Sequence, residues 1–437
     1  MRAGSTGLGS TRRWALAAAL VTLMVCMSAG GVAWAAGAQA PPAASAAATL
    51  TATPAAGPSA TQSPSQLGDD PTPAPPTIAW SLAPTTVVYG ATITAQGTVA
   101  PATDGQTVTV AVDGATVATV VTDASGVFSA TFAATVGGTV TATLGDGTVG
   151  PPLTLLVAPK VTIKAGAALP WGVTKLSVSV LPASYAGRVT ATVYHHGKKV
   201  AVAAGRPVAG TLVLKLHTPG VGKFSVSVAT AAAPGLVAAP LLKTTLNAPW
   251  HRVAVGSKGR YAHILLARLV ALRFRVPGIS SSISVAAGDS IVAFQKAYGL
   301  PRTYAFGADD WRKLDVARLI KARYKSPKTH IEIDKTRQIL MVVKGGKPYG
   351  IIAVSTGATG NTPVGRFHIL RKAPATSTWL GSAILWRTMD FYGNFAMHGY
   401  PEVPPYPASH GCVREPMWVA DWTYRHSWVG ETVYVHL

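Results

Sequence analysis

Cysteine is almost missing from this chain, with two in 437 residues, Cys26 and Cys412. Cys26 falls in the apolar run 14–36, preceded by Arg12-Arg13 and followed by Ala33-Trp34-Ala35 and Ala38-Gln39-Ala40. A charged start, an apolar middle and small residues at a cleavage-like site spell an export signal. Cleavage there leaves one cysteine, which excludes an internal disulfide and sends an unpaired thiol into a compartment where thiols are oxidised. Retained, the same run is long enough to span a bilayer; Leu23-Met24-Val25 before Cys26 lacks the small residue a lipidation site would want. Signal peptide and membrane anchor both stand for residues 1–36, and the chain is expected outside the cytoplasm, secreted or held at the outer face of the membrane by its N-terminal segment alone.

Acid is scarce too: 17 Asp and Glu against 38 Lys and Arg leave a net charge of +21. From Trp250 onward the count is 25 basic against 11 acidic residues. Basic proteins favour polyanions, which outside a cell are anionic wall polymers or lipid headgroups rather than nucleic acid. The Lys and Arg form no block, so a generic soluble basic surface is the other reading. Large apolar side chains are nearly absent from residues 37–76, where Ala, Pro, Ser and Thr prevail. Such a stretch cannot bury enough surface to offset chain entropy and reads as a disordered tether.

The length suggests about three domains at ~150 residues each, and the patterning divides what remains. Residues 77–159 run in short alternating segments such as Thr107-Val108-Thr109-Val110-Ala111-Val112, broken at Asp113-Gly114 and Asp123-Ala124-Ser125-Gly126. Period-two alternation between regular turns predicts an antiparallel β-sandwich. The string Thr122-Asp123-Ala124-Ser125-Gly126-Val127-Phe128 resembles a turn of bacterial immunoglobulin-like repeats, with Gly at positive φ and the aromatic entering the core. Residues 160–248 repeat the style and predict a second such sandwich. His195-His196 there suggests metal, but adjacent strand residues point to opposite faces and no acidic or sulfur partner is near in sequence, so the pair reads as a solvated hairpin tip, and no metal or cofactor is expected.

Residues 249–325 change period. Ile264, Leu265, Ala267, Leu269, Val270 and Leu272 recur at helical spacing, as do Ile291, Val292, Phe294 and Ala297. Two helices and a third near Trp311-Arg312-Lys313-Leu314 predict a small all-α module. Val255-Gly256-Ser257-Lys258-Gly259, Ala293-Phe294-Gln295-Lys296-Ala297-Tyr298-Gly299-Leu300 and the Trp311 string resemble the peptidoglycan-binding-like three-helix family. Its fold does not by itself imply binding, so wall binding and a packing spacer both remain open.

From residue 328 to 437 strands return, first as a hairpin from His330-Ile331-Glu332-Ile333-Asp334 to Gln338-Ile339-Leu340-Met341-Val342-Val343. Then come His398-Gly399 and Ser409-His410-Gly411-Cys412-Val413-Arg414. A lone thiol near two histidines reads as a nucleophile with its base. A helix beginning near Glu415-Pro416 would put its positive end beside Cys412 and favour the thiolate. An imidazole supplies the base, and backbone N–H groups of Gly411 and Cys412 offer an oxyanion site. Spacing leaves the choice between His398 and His410 open. Trp379, Trp386, Phe391, Tyr392 and Phe395 are dense just upstream, as a lid over a substrate groove or as core.

The string His398-Gly399, a loop, then Ser409-His410-Gly411-Cys412-Val413-Arg414 resembles the YkuD-type L,D-transpeptidase catalytic domain. Ser355-Thr356-Gly357 and Thr362-Pro363-Val364-Gly365-Arg366-Phe367 resemble it too. The resemblance implies a mainly-β catalytic domain and an acyltransferase acting on peptidoglycan stem peptides. It makes Cys412 the nucleophile, His398 the general base and His410 a supporting residue beside Ser409 and Gly411. It further implies a thioester on Cys412 formed from a tetrapeptide donor with release of D-alanine. The side-chain amine of a second stem's diamino acid then resolves it into a 3→3 cross-link. Gly399, Tyr400, Tyr392 and Arg414 are expected to contact substrate; Arg414, where some members carry Asn, suits either a stem carboxylate or local structure. An L,D-carboxypeptidase using water as acceptor, or a non-catalytic wall-binding protein, are the competing functions.

Overall fold

The computed structural model describes residues 74–377 and 384–437. Residues 1–36, on which the expected export segment and Cys26 fall, most of the expected tether at 37–76, and Trp379 lie outside the described residues. The described chain is β-rich with four helices, α1 (Arg260–Ala271), α2 (Val285–Tyr298), α3 (Ala308–Val316) and α4 (Met417–Arg425). Among these residues no helix is long and apolar enough to cross a membrane.

The first alternating block forms a sandwich of a three-stranded sheet, with Thr92–Ala100 central, against a five-stranded one. Its strand Val127–Ala133 alternates exposed and buried at every step. The Asp123 turn is built as its residues suggest: Gly126 sits at φ 73°, the Asp123 carboxylate accepts the N–H groups of Ser125 and Val127 at 2.9 Å each, and Phe128 is buried. The second block is another sandwich, of three and four strands.

The helical module is less independent than its sequence suggests. Ser284 caps α2, its Oγ accepting Ala287 N–H at 3.1 Å, and Gly299 ends the helix in the left-handed conformation, φ 69°. Between these ends α2 is buried on nearly all sides, Gln295 and Lys296 included. Gln295 is an internal brace: its amide donates to Ala305 O (2.8 Å) and its Oε1 accepts Thr303 N–H (2.9 Å). Lys296 Nζ donates to Val354 O, in the C-terminal domain, at 2.7 Å. One apolar cluster joins Leu265, Leu269, Phe294 and Trp311 of the module to Ile339, Met341, Val343, Ile351 and Ala353 of that domain. The α2 part of the string that resembles a wall-binding family is thus turned inward, while Val255, Lys258 and Arg312 stay exposed; the burial of α2 favours the packing role over the binding one.

The C-terminal domain stacks two sheets. One has five strands in the order Lys347–Ala353, Ile339–Lys344, His330–Asp334, Thr432–His436, Gly365–His368. The strand Ile339–Lys344 is buried on both faces, by the helical module on one and by the core between the sheets on the other, and reads as a nearly unbroken apolar run. His330–Asp334 and Thr432–His436 instead send Ile331, Ile333, Val433 and Val435 into that core and carry buried polar residues on the other face. The second sheet runs Arg371–Ser377, Ile384–Tyr392, Phe395–Tyr400, Val413–Pro416, with α4 packed against it.

Structure overturns the reading of the His195-His196 tip. Asp315, at the end of α3 and far along the sequence, brings its Oδ2 to 2.7 Å from His195 Nε2 and 3.0 Å from His196 Nε2. The alternation rule failed because His196 lies at φ 48° and Gly197 at φ 73°, a left-handed turn that swings both rings to one side.

Candidate active site

The site is assembled by one parallel strand pair. Phe395–Tyr400 lies beside Val413–Pro416 with Met397 opposite Val413 and His398 opposite Arg414. Met397 and Val413 both enter the core between the sheets, so alternation sends His398 and Arg414 to the opposite face. Cys412 immediately precedes Val413, and its Sγ lies 3.6 Å from Asn394 O, in the turn that opens the His398 strand. The sequence distance between His398 and Cys412 therefore closes through register, with the Pro-rich loop between them as the crossover.

The turn that presents the thiol is tightly specified. Ser409 is buried; its Oγ donates to Cys412 O at 2.5 Å and accepts Gly411 N–H at 3.0 Å. Ser409 thus ties both ends of the turn and leaves Gly411 N–H engaged, so the expectation that Gly411 would donate to an oxyanion does not fit this geometry. Gly411 itself is obligatory. It lies at φ 138°, and a Cβ there would fall 2.6 Å from Phe395 Cε1. Thr362 and Asn361 clamp the same turn from the Thr362-Pro363 segment: Thr362 Oγ1 donates to Gly411 O at 2.6 Å and Asn361 Nδ2 to His410 O at 2.8 Å. Asn361 and Thr362 were not singled out as site residues from sequence, though Thr362 stood in a string that carries the resemblance.

His410 is exposed, and its backbone carbonyl is what the site uses. His398 is buried, and its Nδ1 is 3.1 Å from Gly399 O. A carbonyl only accepts, so Nδ1 carries the proton and Nε2 keeps the lone pair a base needs. Burial pushes His398 down to about 4; the Gly399 carbonyl opposes this and the Arg414 charge adds to it. Burial also pushes the Cys412 thiol up; the Ala396 N–H opposes, the Asp390 carboxylate adds to it, and Arg414 opposes. Both shifts favour the uncharged forms, a neutral thiol at Cys412 and a neutral imidazole at His398.

The anticipated helix end does not help the thiolate. Cys412 is followed by the strand Val413–Pro416, and α4 begins at Met417 with Pro416 as its N-cap. An extended run of that length spans roughly 13 Å, beyond the first turn within which a helix end acts.

Other expected contacts sort by position. The Arg414 guanidinium lies 4.2 Å over the Tyr400 ring, and Tyr400 meets His398 edge-on at 5.9 Å. Gly399 makes room for α4, since a Cβ would lie 2.8 Å from Ala420 Cβ. Of the aromatics, Phe391 is core, Phe395 supports Gly411, and Tyr392 is exposed beside Phe395 and Phe367. Trp386 is half-buried, with the Arg387 guanidinium 4.8 Å over its ring.

Known proteins place this constellation. The family model for the YkuD L,D-transpeptidase catalytic domain matches residues 328–435. No curated protein matches the chain. Among solved structures, the chain is similar to an L,D-transpeptidase from Xylanimonas cellulosilytica, at 29% identity over 43% of this chain and 98% of that one, TM-score 0.41. It is similar to an L,D-transpeptidase from Stackebrandtia nassauensis at 24% over 42% and 94%, TM-score 0.29. A third is an L,D-transpeptidase from Mycobacterium smegmatis at 13% over 64% and 97%, TM-score 0.24. Superpositions this partial add nothing to the fold, and the family match over the segment holding His398 and Cys412 is what decides: residues 328–435 of this chain are an L,D-transpeptidase catalytic domain of the YkuD family.

Proposed function

We propose that the protein is an exported cysteine L,D-transpeptidase that forms 3→3 cross-links between peptidoglycan stem peptides. The observation that carries this is the parallel register that sets His398 opposite Arg414 and brings Cys412, one residue before the paired strand, to the start of the His398 strand, within the matched domain. Cys412 Sγ attacks the carbonyl that joins the L-centre of the donor's third residue to its terminal D-alanine, and its proton passes to His398 Nε2. The carbon–nitrogen bond then breaks, the D-alanine amine takes that proton, and a thioester remains. The amine of an acceptor stem attacks the thioester, gives a proton to His398, and the sulfur leaves and is reprotonated.

A low imidazole pKa suits a base that must hand its proton on at once rather than hold it. Cys412 N–H, next to Gly411, is the backbone donor this mechanism assigns to the developing oxyanion. Arg414, which has no carboxylate partner among the described residues, supplies positive charge for a stem carboxylate while it packs on Tyr400. The export segment and tether carry the catalytic domain to the wall, and the sandwiches set its reach.

Purified protein and its Cys412→Ala variant, incubated with disaccharide tetrapeptide, test this by mass spectrometry. Cross-linked dimers with loss of D-alanine from wild type alone support transpeptidation. Tripeptide monomers alone mean that water resolves the thioester, making the protein an L,D-carboxypeptidase. Identical products from both proteins would sink the catalytic reading.

A further inference from the structure

The cluster at the His195 hairpin is unexplained by the catalytic domain. Three side chains from two modules converge there: His195 and His196 from the second sandwich and Asp315 from α3, with their ligand atoms within 4.8 Å of one another. The convergence is built. Gly220 has no Cβ because one would fall 1.7 Å from Asp315 Oδ1 and 3.1 Å from His195 Nε2. Asp315 Oδ1 accepts Val221 N–H at 3.1 Å, which aims Oδ2 at the two rings. The His195 and Asp315 side chains are 9% and 5% exposed, whereas that of His196 is 66% exposed, so the cluster is closed on the protein side and open on one flank.

Hydrogen-bond roles make the arrangement more pointed. His195 Nδ1 is 3.3 Å from Lys223 O. That carbonyl requires a proton on Nδ1, which leaves neutral His195 with a lone pair at Nε2. The atom facing it at 2.7 Å is a carboxylate oxygen, which only accepts. Two acceptors at that distance need a positive centre between them. A ligating histidine whose other ring nitrogen donates to a backbone carbonyl is the ordinary outer-shell arrangement of a metal site. Two imidazoles and one carboxylate suit a borderline divalent ion and are a poor set for calcium or magnesium, which prefer oxygen. Bonds of about 2.0–2.2 Å to zinc would spread the donors by roughly half an ångström from their present spacing, a change the exposed His196 ring can supply.

We propose that His195, His196 and Asp315 bind one zinc-class divalent ion, with water at the open position, and that this ion clasps the second sandwich to the helical module. The site is structural: it lies on modules that precede the catalytic domain and needs neither Cys412 nor His398.

The test uses the full chain carrying Cys412→Ala, so that the catalytic thiol contributes no zinc. Equilibrium dialysis against zinc chloride, with the retained metal measured by mass spectrometry, should give about one zinc per chain. His196→Asn tolerates the left-handed backbone, and Asp315→Asn keeps an oxygen for Val221 N–H. Each should weaken zinc binding by at least ~10–100-fold, the scale on which even outer-shell losses act. Zinc should raise the Tm of the parent and leave that of either variant unchanged. If the parent retains no zinc, the proposal fails. It fails equally if both variants bind zinc as tightly as the parent.

Discussion

Lys296 offers the sharpest quantitative test of how the helical module is joined to the catalytic domain. It is 1% exposed, on α2, with Nζ donating to Val354 O across the junction. Burial lowers it from 10.5 to about 7; the Arg302 charge adds to this and Asp289 opposes it. The folded pKa is depressed, so between about 7 and about 10.5 the unfolded chain holds a proton that the folded chain has released, and stability rises with pH across that window. Below it the ammonium is present in both states and its burial costs roughly 4–5 kcal/mol. Lys296→Met removes that cost but leaves the Val354 carbonyl without its Nζ donor, a loss of ~1–3 kcal/mol. At pH 7 the variant should be the more stable by ~1–3 kcal/mol, and near pH 10 that advantage should vanish or reverse. Urea unfolding of both proteins at several pH values between 7 and 10, followed by tryptophan fluorescence, gives the difference directly. A wild-type-minus-Lys296→Met difference that stays flat over this range would refute the reasoning, because it would mean the amine keeps its proton in the folded state.

Further tests concern the active site. Gly411→Ala combines positive φ with a contact at 2.6 Å on Phe395, which together cost ~2–5 kcal/mol. Its Tm should fall and turnover should be lost, while Gly411→Ala/Phe395→Leu should recover part of the stability because only the contact is relieved; no recovery would mean that backbone strain is the whole effect. The neutral resting pair predicts that the rate of Cys412 alkylation by iodoacetamide rises continuously from pH 5 to above 8, since the thiol is pushed up and His398 is already deprotonated above about 4. A plateau beginning near pH 6 would instead reveal a preformed thiolate–imidazolium pair. Ser409→Ala removes the hydroxyl shared by Gly411 N–H and Cys412 O; turnover should fall at least ~10-fold with little change in Tm, and an unchanged rate would show that Thr362 and Asn361 hold the turn without it.

Much of this was legible in sequence because it depends on short-range rules. Alternation marks both sandwiches, with Asp-Gly and Ser-Gly turns in the first and a His-Gly turn in the second, helical spacing marks α1 and α2, and Ser-His-Gly-Cys marks the turn that carries the thiol. The misreadings have a common origin in contacts between distant segments. A helix placed directly after Cys412 was plausible from Glu415-Pro416, but pairing with the His398 strand holds those residues extended through Pro416. Gly411 N–H looked free until Ser409 Oγ was found accepting it. Burial of Gln295 and Lys296, which the sequence left open between a binding and a packing role, arises because the catalytic sheet covers α2.

Sequence by itself determined the chemistry available: one cysteine in the described chain, histidines to serve it, a glycine that its turn demands, and the order of modules. Tertiary structure decided which of these groups meet. Parallel register, not proximity in sequence, brings the His398 strand alongside the segment that follows Cys412 while His410 stays exposed, and burial favours the neutral forms of His398 and Cys412. The same principle governs His195, His196 and Asp315. A left-handed turn and the docking of α3 create that convergence, and neither is visible in the spacing of residues along the chain, because both arise from how separately folded elements pack.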